Sequence, residues 1–268
     1  MMPEIFSPIA VFDSGIGGLT VLQALKKRYP QESYVYLGDT ARLPYGTKSP
    51  EIVQRYSQSL CRILLNYNPS AIVIACNTAS THALEAVRAL AAPLPVIGMI
   101  EPAAAAAIQA TKNQHIGVIA TFGTIRSGVY EKELKKINPH IKASSQACQM
   151  LVALAEEGWS SGPIATAIVR QYLDPIFDTA EAPDTLILGC THFPVFEALF
   201  RDILGSSVTL INSGEAAATQ LSGITGTRGQ IKMLATDDPE RFAANASKFF
   251  DQGLVAADIE LIDVTAAS

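Results

Sequence analysis

The sequence predicts an α/β fold of two similar, pseudo-symmetric domains, each on a parallel sheet, with a cleft between them. Three observations carry this. Short aliphatic runs alternate with helical patterns along the 268 residues, as parallel βαβ construction requires. Ile116-Gly117-Val118-Ile119-Ala120-Thr121 matches Ile9-Ala10-Val11-Phe12-Asp13-Ser14 position for position. Two cysteine runs, Ala75-Cys76-Asn77-Thr78-Ala79-Ser80 and Gly189-Cys190-Thr191-His192-Phe193-Pro194, each follow an aliphatic run and fall in register in the two cycles. Cys76 lies 63 residues beyond Asp13, and Cys190 lies 70 beyond Ala120.

The elements follow in order. Ile9-Ala10-Val11-Phe12 reads as a buried strand, and Gly15-Ile16-Gly17-Gly18 turns the chain into a helix over about Leu19 to Arg28, stopped by Pro30. Tyr34-Val35-Tyr36-Leu37 is the next strand. After Pro50, a helix over about Glu51 to Asn66 sets Val53, Tyr56, Leu60, Ile63 and Leu64 on one face. A strand ending at Ala75 and a helix through Leu90 follow, then a strand over Val96-Ile97-Gly98-Met99-Ile100. The second cycle opens at Ile116 and carries Thr185-Leu186-Ile187-Leu188 into Cys190. Asn212-Ser213-Gly214-Glu215 reads as a helix start capped by Ser213. Strand, helix and strand patterns from about Ile231 to Val264 are expected to pack back on the first half. The expected division is residues 1–98 with 212–268 as one domain and 99–211 as the other.

Composition narrows the function classes. The hydrophobic fraction is 49% and the net charge −5, with no basic tract, so nucleic acid is not an expected partner. Met1 to Ser7 carries neither a basic nor an apolar leader region, and the Ala103 to Ala110 stretch is too short to span a bilayer. A cytoplasmic protein with no membrane partner is expected. Cys61, Cys76, Cys148 and Cys190 then default to reduced thiols. Neither CxxC nor HExxH occurs, so no metal is expected.

The chemistry concentrates at strand ends, where open α/β sheets bind ligands. In Asp13-Ser14-Gly15-Ile16-Gly17-Gly18 the glycines permit positive φ, and the turn offers amides at a helix N-terminus to a carboxylate. It is not a dinucleotide fingerprint, because the third glycine position is Thr20, and no P-loop Gly-Lys-Ser/Thr occurs. The loop Gly38-Asp39-Thr40-Ala41-Arg42-Leu43-Pro44-Tyr45-Gly46 also follows a strand, with the Tyr45 hydroxyl and Gly46 amide available to a ligand. A lone cysteine is usually core, and Cys61 and Cys148, which lack polar cradles, read that way. The matched Cys76 and Cys190 instead suggest two thiols facing one substrate from opposite sides. One would take a proton from a carbon while the other returns one, each a thiolate or a thiol in turn. His192, two residues beyond Cys190, can tune that thiol. His82, His115 and His140 read as structural. Glu156-Glu157-Gly158 is either a solvated helix end or a carboxylate reaching the cleft.

Together these runs, with Glu101-Pro102 and Leu151-Val152, resemble the glutamate racemases of the aspartate/glutamate racemase family along nearly the whole chain. The resemblance implies two α/β domains with the active site between them and no cofactor. It implies that Cys76 takes the α-proton of D-glutamate, assisted by Asp13, and that Cys190 takes that of L-glutamate, assisted by His192 and Glu156. Asp13, Ser14, Pro44, Tyr45, Gly46, Asn77, Thr78, Thr191 and His192 would hold the substrate, and Thr121 would help bind the α-carboxylate. Asp39 is implied as a supporting residue behind the site. The product would supply peptidoglycan synthesis, and family members can associate, so a homodimer is compatible with the resemblance. Closure of the cleft would exclude water. Three other readings stand beside this one: a racemase of aspartate or a related acid, a catalytically silent amino-acid-binding module, and a hydrolase using Cys190 with His192. The last leaves Cys76 unexplained.

Overall fold

The computed structural model describes residues 7–222 and 229–264. The Met1 to Phe6 part of the leader reading lies outside them. The first cycle runs β1 (Ile9–Asp13), α1 (Leu19–Arg28), β2 (Tyr34–Gly38), α2 (Pro50–Leu65), β3 (Ala71–Ile74), α3 (Asn77–Ala91), β4 (Val96–Ile97) and α4 (Ile100–Ala110). The second runs β5 (His115–Ala120), α5 (Phe122–Ser127), α6 (Val129–Ile137), β6 (Lys142–Ala147), α7 (Gln149–Glu157), α8 (Gly162–Phe177), β7 (Thr185–Gly189), α9 (Glu197–Leu204), β8 (Thr209–Asn212) and α10 (Ser213–Ala218). The chain closes with β9 (Ile231–Ala235), α11 (Pro239–Ala246) and β10 (Ile259–Leu261).

Two sheets form, with every pairing among the described residues parallel. One has six strands in the order β10-β9-β2-β1-β3-β4, and the other four in the order β6-β5-β7-β8. The repeat noticed in sequence is therefore a repeat of topology, because β2-β1-β3-β4 and β6-β5-β7-β8 are the same arrangement. The C-terminal strands extend only the first sheet, where β9 pairs with β2. In each half the chain steps to one side of the first strand and then crosses to the other. A crevice opens at that switch point, above the carboxyl ends of β1 and β3 and of β5 and β7. Ser14 and Cys76 follow the first pair of strand ends, and Thr121 and Cys190 the second.

Burial explains the elements. β1, β2, β3, β5 and β7 are buried at every position, as strands covered on both faces must be. β6, with the sequence Lys142-Ala143-Ser144-Ser145-Gln146-Ala147, lies at a sheet edge and is only partly covered, so it carries no aliphatic run to announce it. α2 starts where Ser49 accepts from the Ile52 amide, with Pro50 at the first helical position. It buries Val53, Leu60, Cys61, Ile63 and Leu64, while Tyr56 stays half-buried.

Two expectations need correction. The strand read over Val96 to Ile100 stops at Ile97, and Ile100 already belongs to α4. The Ser80 hydroxyl accepts from the Met99 amide at 3.1 Å, ending the extended stretch. Aliphatic residues at a helix start look like strand residues until that partner is known. At β8–α10 the cap is Asn212, whose Oδ1 accepts from the Gly214 and Glu215 amides at 2.9 and 3.3 Å. Ser213 is the first helical residue, and its hydroxyl faces Asn77.

Leu60 is fully buried in the core between α2 and the first sheet. Leu60→Ala is expected to destabilise the protein by about 2–5 kcal/mol, read as a lower urea midpoint with an unchanged slope.

Candidate active site

Ser14, Pro44, Tyr45, Gly46, Cys76, Asn77, Thr78, Thr121, Glu156, Cys190, Thr191 and His192 line one narrow cleft with a cavity of about 30 Å³. Gly15, Leu43, Gln149 and Val152 complete the lining. Of the residues singled out from sequence, Asp13 and Asp39 lie behind this surface, both fully buried. A larger cavity of about 340 Å³ adjoins it and shares Leu43 and Glu156.

Cys76 is the N-cap of the 15-residue α3, so its sulfur sits at the positive end of a helix. It accepts from the Ala79 amide at 3.4 Å and donates to the Ser14 hydroxyl at 3.6 Å. Burial pushes the thiol up to about 12 and the charge of Asp13 adds to the rise, while the Ala79 amide and Ser14 hydroxyl oppose it. Cys76 therefore rests as a thiol. Asp13 accepts from the Gly15 amide at 3.0 Å through Oδ2, while its buried Oδ1 has no partner. Burial raises its carboxyl, and the His192 charge and the Gly18, Gly15 and Ser14 amides resist the rise.

The Cys190 side is built differently. A short 3₁₀ turn over Phe193–Phe196 separates it from α9, so no long helix starts at this sulfur. His192 takes over instead. Its Nδ1 lies 3.8 Å from Cys190 Sγ and its Nε2 lies 3.3 Å from Glu156 Oε1. Burial works against the charged ring, but the hydrogen bonds to Cys190 and Glu156 and the charges of Cys190 and Asp13 outweigh it, raising His192 to about 10. The ring is an imidazolium at neutral pH and sits beside the Cys190 sulfur. The His192 hydrogen bond holds Glu156 below its ordinary value against the cost of burial, with the charges of His192, Arg241 and Lys248 assisting. Phe249 meets the His192 ring edge-on at 5.3 Å between centroids. Glu156 is thus a cleft carboxylate, and Gly158 with φ 79° ends the helix behind it.

The two halves meet without room for further atoms. A Cβ on Gly17 would lie 2.5 Å from His192 Cε1 and Nδ1 and 2.6 Å from Thr191 Oγ1. A Cβ on Gly46 would lie 2.8 Å from that of Thr121. Among the glycines of the first turn none takes positive φ, so close approach rather than φ is what requires Gly17 there. Hydroxyls bridge the same gap. Thr78 and Thr121 are 2.9 Å apart, with Thr124 at 3.4 and 3.3 Å from them, and Thr20 donates to the Thr191 carbonyl at 2.8 Å.

The Tyr45 hydroxyl, read from sequence as open to a ligand, donates to Asp39 instead. Asp39 also accepts from Arg42 Nε at 2.8 Å and the Thr236 hydroxyl at 2.9 Å, and Arg42 stacks on Tyr56 at 4.3 Å. The Pro44-Tyr45-Gly46 loop is held from behind, leaving its backbone to face the cleft. Sequence reasoning overlooked Gln149, Thr124 and Tyr130. None stands in a distinctive run, and only tertiary contact marks them out. Among the described residues, no group of histidine, cysteine, aspartate and glutamate could hold a metal ion.

Comparison with known proteins points one way. Residues 19–221 match the model of the Asp/Glu/hydantoin racemase family. A glutamate racemase of Geobacter metallireducens is 42% identical over 250 residues, covering 90% of this chain and 92% of that protein. Among solved structures, a glutamate racemase isoform from Bacillus anthracis superposes with a TM-score of 0.89 at 38% identity, covering 97% and 98% of the two chains. The Francisella tularensis glutamate racemase in complex with D-glutamate gives 0.87 at 32% identity, covering 97% and 99%.

The His192–Glu156 pair dictates a pH dependence. His192, raised from 6.5 to about 10, contributes stability that is complete below pH 6.5 and lost as pH rises through about 10. Glu156, lowered from 4.5, contributes stability present above pH 4.5 and lost as pH falls beneath its folded value. Glu156→Gln should therefore lose most stability between pH 4.5 and 6.5, with the deficit shrinking toward pH 10 in urea titrations. An equal deficit at both ends would remove the coupling. Gly17→Ala should displace the His192 ring and bring its pKa back toward 6.5 in an NMR titration.

Proposed function

The chain belongs to the Asp/Glu/hydantoin racemase family, and we propose that it is an isomerase interconverting L- and D-glutamate by proton removal on one face of the α-carbon and return on the other. One observation carries the mechanism: two thiols in equivalent topological positions border one cleft, and their surroundings differ in charge. With L-glutamate bound, Cys190 as thiolate takes the α-proton beside the His192 imidazolium. The Cys76 thiol gives its proton to the opposite face, leaving a Cys76 thiolate and a Cys190 thiol. The reverse direction starts from that second state. The rise of Cys76 to about 12 keeps its proton in place, and the substrate ammonium supplies the charge that lets it give that proton up and become a thiolate.

The remaining residues serve this transfer. Asp13, with one buried oxygen unpartnered, assists Cys76, while His192 and Glu156 assist Cys190. Ser14, Asn77, Thr78, Thr121 and Thr191, with the backbone of Pro44, Tyr45 and Gly46, bind the carboxylates and stabilise charge spreading onto the α-carboxylate. Asp39 anchors Tyr45 from behind. The protein works in the cytoplasm, where its thiols stay reduced, and its D-glutamate feeds peptidoglycan synthesis.

Proton NMR with L-glutamate in D₂O, followed by chiral analysis, tests the reading. Loss of the α-proton signal with appearance of D-glutamate is expected, and Cys76→Ala and Cys190→Ala should each abolish racemisation. Two-way turnover by either variant would refute the two-thiol assignment. Exchange of aspartate but not glutamate would refute the substrate.

A further inference from the structure

The carboxamide of Asn77, beside Cys76 in the cleft, is tied at both ends. The Tyr130 hydroxyl donates to its Oδ1 at 2.7 Å, and its Nδ2 donates to the Ser213 hydroxyl at 3.3 Å. The lengths fit that orientation, since O–H···O bonds cluster near the shorter value and N–H donors sit farther out. Tyr130 comes from α6 in the second half, whereas Asn77 opens α3 in the first. Its ring also packs against the backbone before Cys190, because a Cβ on Gly189 would lie 2.9 Å from Tyr130 Cε2. Tyr130 thus touches the residue after one thiol and the residue before the other. Burial holds its phenol far above the ordinary range, so the group is a donor at every working pH.

Asn77 Nδ2 carries two hydrogens, of which Ser213 takes one. The other has no hydrogen-bond partner among the described residues, and Asn77 lines the cleft. A flipped amide would turn an oxygen lone pair to that side and repel a carboxylate. We propose that Tyr130 is a positioning residue for this reaction, fixing the Asn77 amide with its NH₂ toward the cleft so that the site there accepts a carboxylate. The proposal rests on the racemase reading above. It assigns Tyr130 to uniform substrate binding, equal in ground and transition states, and therefore to KM rather than kcat.

The test uses the full chain with Tyr130→Phe, which keeps the ring against Gly189 and removes only the hydroxyl. KM for both glutamate enantiomers should rise about 3- to 10-fold, the loss of one ordinary hydrogen bond, with kcat within about twofold. In the Asn77→Ala background, Tyr130→Phe should add nothing further, because its effect passes through the amide. Unchanged KM, additivity with Asn77→Ala, or a fall in kcat at constant KM would each overturn the proposal. Should Tyr130→Phe fail to fold, the side-chain amide of Asn77 in the parent, followed by ¹⁵N NMR, decides. Glutamate should shift it, and no shift overturns the proposal. A parent that binds glutamate and shifts Asn77, yet exchanges no α-proton, would sink the racemase reading and leave the positioning role intact.

Discussion

Buried polar groups must find partners, and in this protein many find them across the cleft. Asn77, Thr78, Thr121, Thr124 and Thr191 are all nearly inaccessible to solvent. An unpaired buried donor or acceptor costs about 1–3 kcal/mol. Asn77 is satisfied by Tyr130, Thr78 by Thr121, and the Thr191 carbonyl by Thr20, each from the opposite sheet's half. The arrangement of the cleft is therefore specified by hydrogen-bond satisfaction as much as by packing. Glycines at the closest points allow the halves to approach within that bonding distance.

The topological symmetry stops short of the electrostatics. Both thiols follow equivalent strands, yet one sits at a long helix's N-terminus beside a buried carboxyl and the other beside an imidazolium paired to Glu156. Proton transfer between two mirror-related faces needs one acid and one base at any moment. Under the proposed mechanism the two sulfurs differ in their surroundings, not in the strands that carry them.

Much of this was legible in the sequence because strands buried on both faces leave aliphatic runs and because ligand-facing residues gather at their carboxyl ends. The core strands, the cysteine register and the glycine turn follow from those rules. What escaped depends on contacts between distant segments. Asn212 rather than Ser213 caps α10, and Ser213 is instead drawn to Asn77, 136 residues away. Tyr45 looked like a ligand donor, but Asp39 claims its hydroxyl. Tyr130 sits on an amphipathic helix where an aromatic reads simply as core. Strand β6 is polar because it lies at an edge.

The sheet assignments also set how the molecule can breathe. The chain leaves the first sheet after Ile97, enters the second at His115, leaves it after Asn212 and returns at Ile231. Among the described residues the chain crosses between the sheets twice. Every ladder among the described residues lies within one sheet, so no strand pairing ties the two together. What joins the sheets is a buried apolar cluster that draws on both, with the cross-cleft hydroxyl and amide contacts beside it. Parting the sheets would therefore expose apolar surface as well as those polar groups.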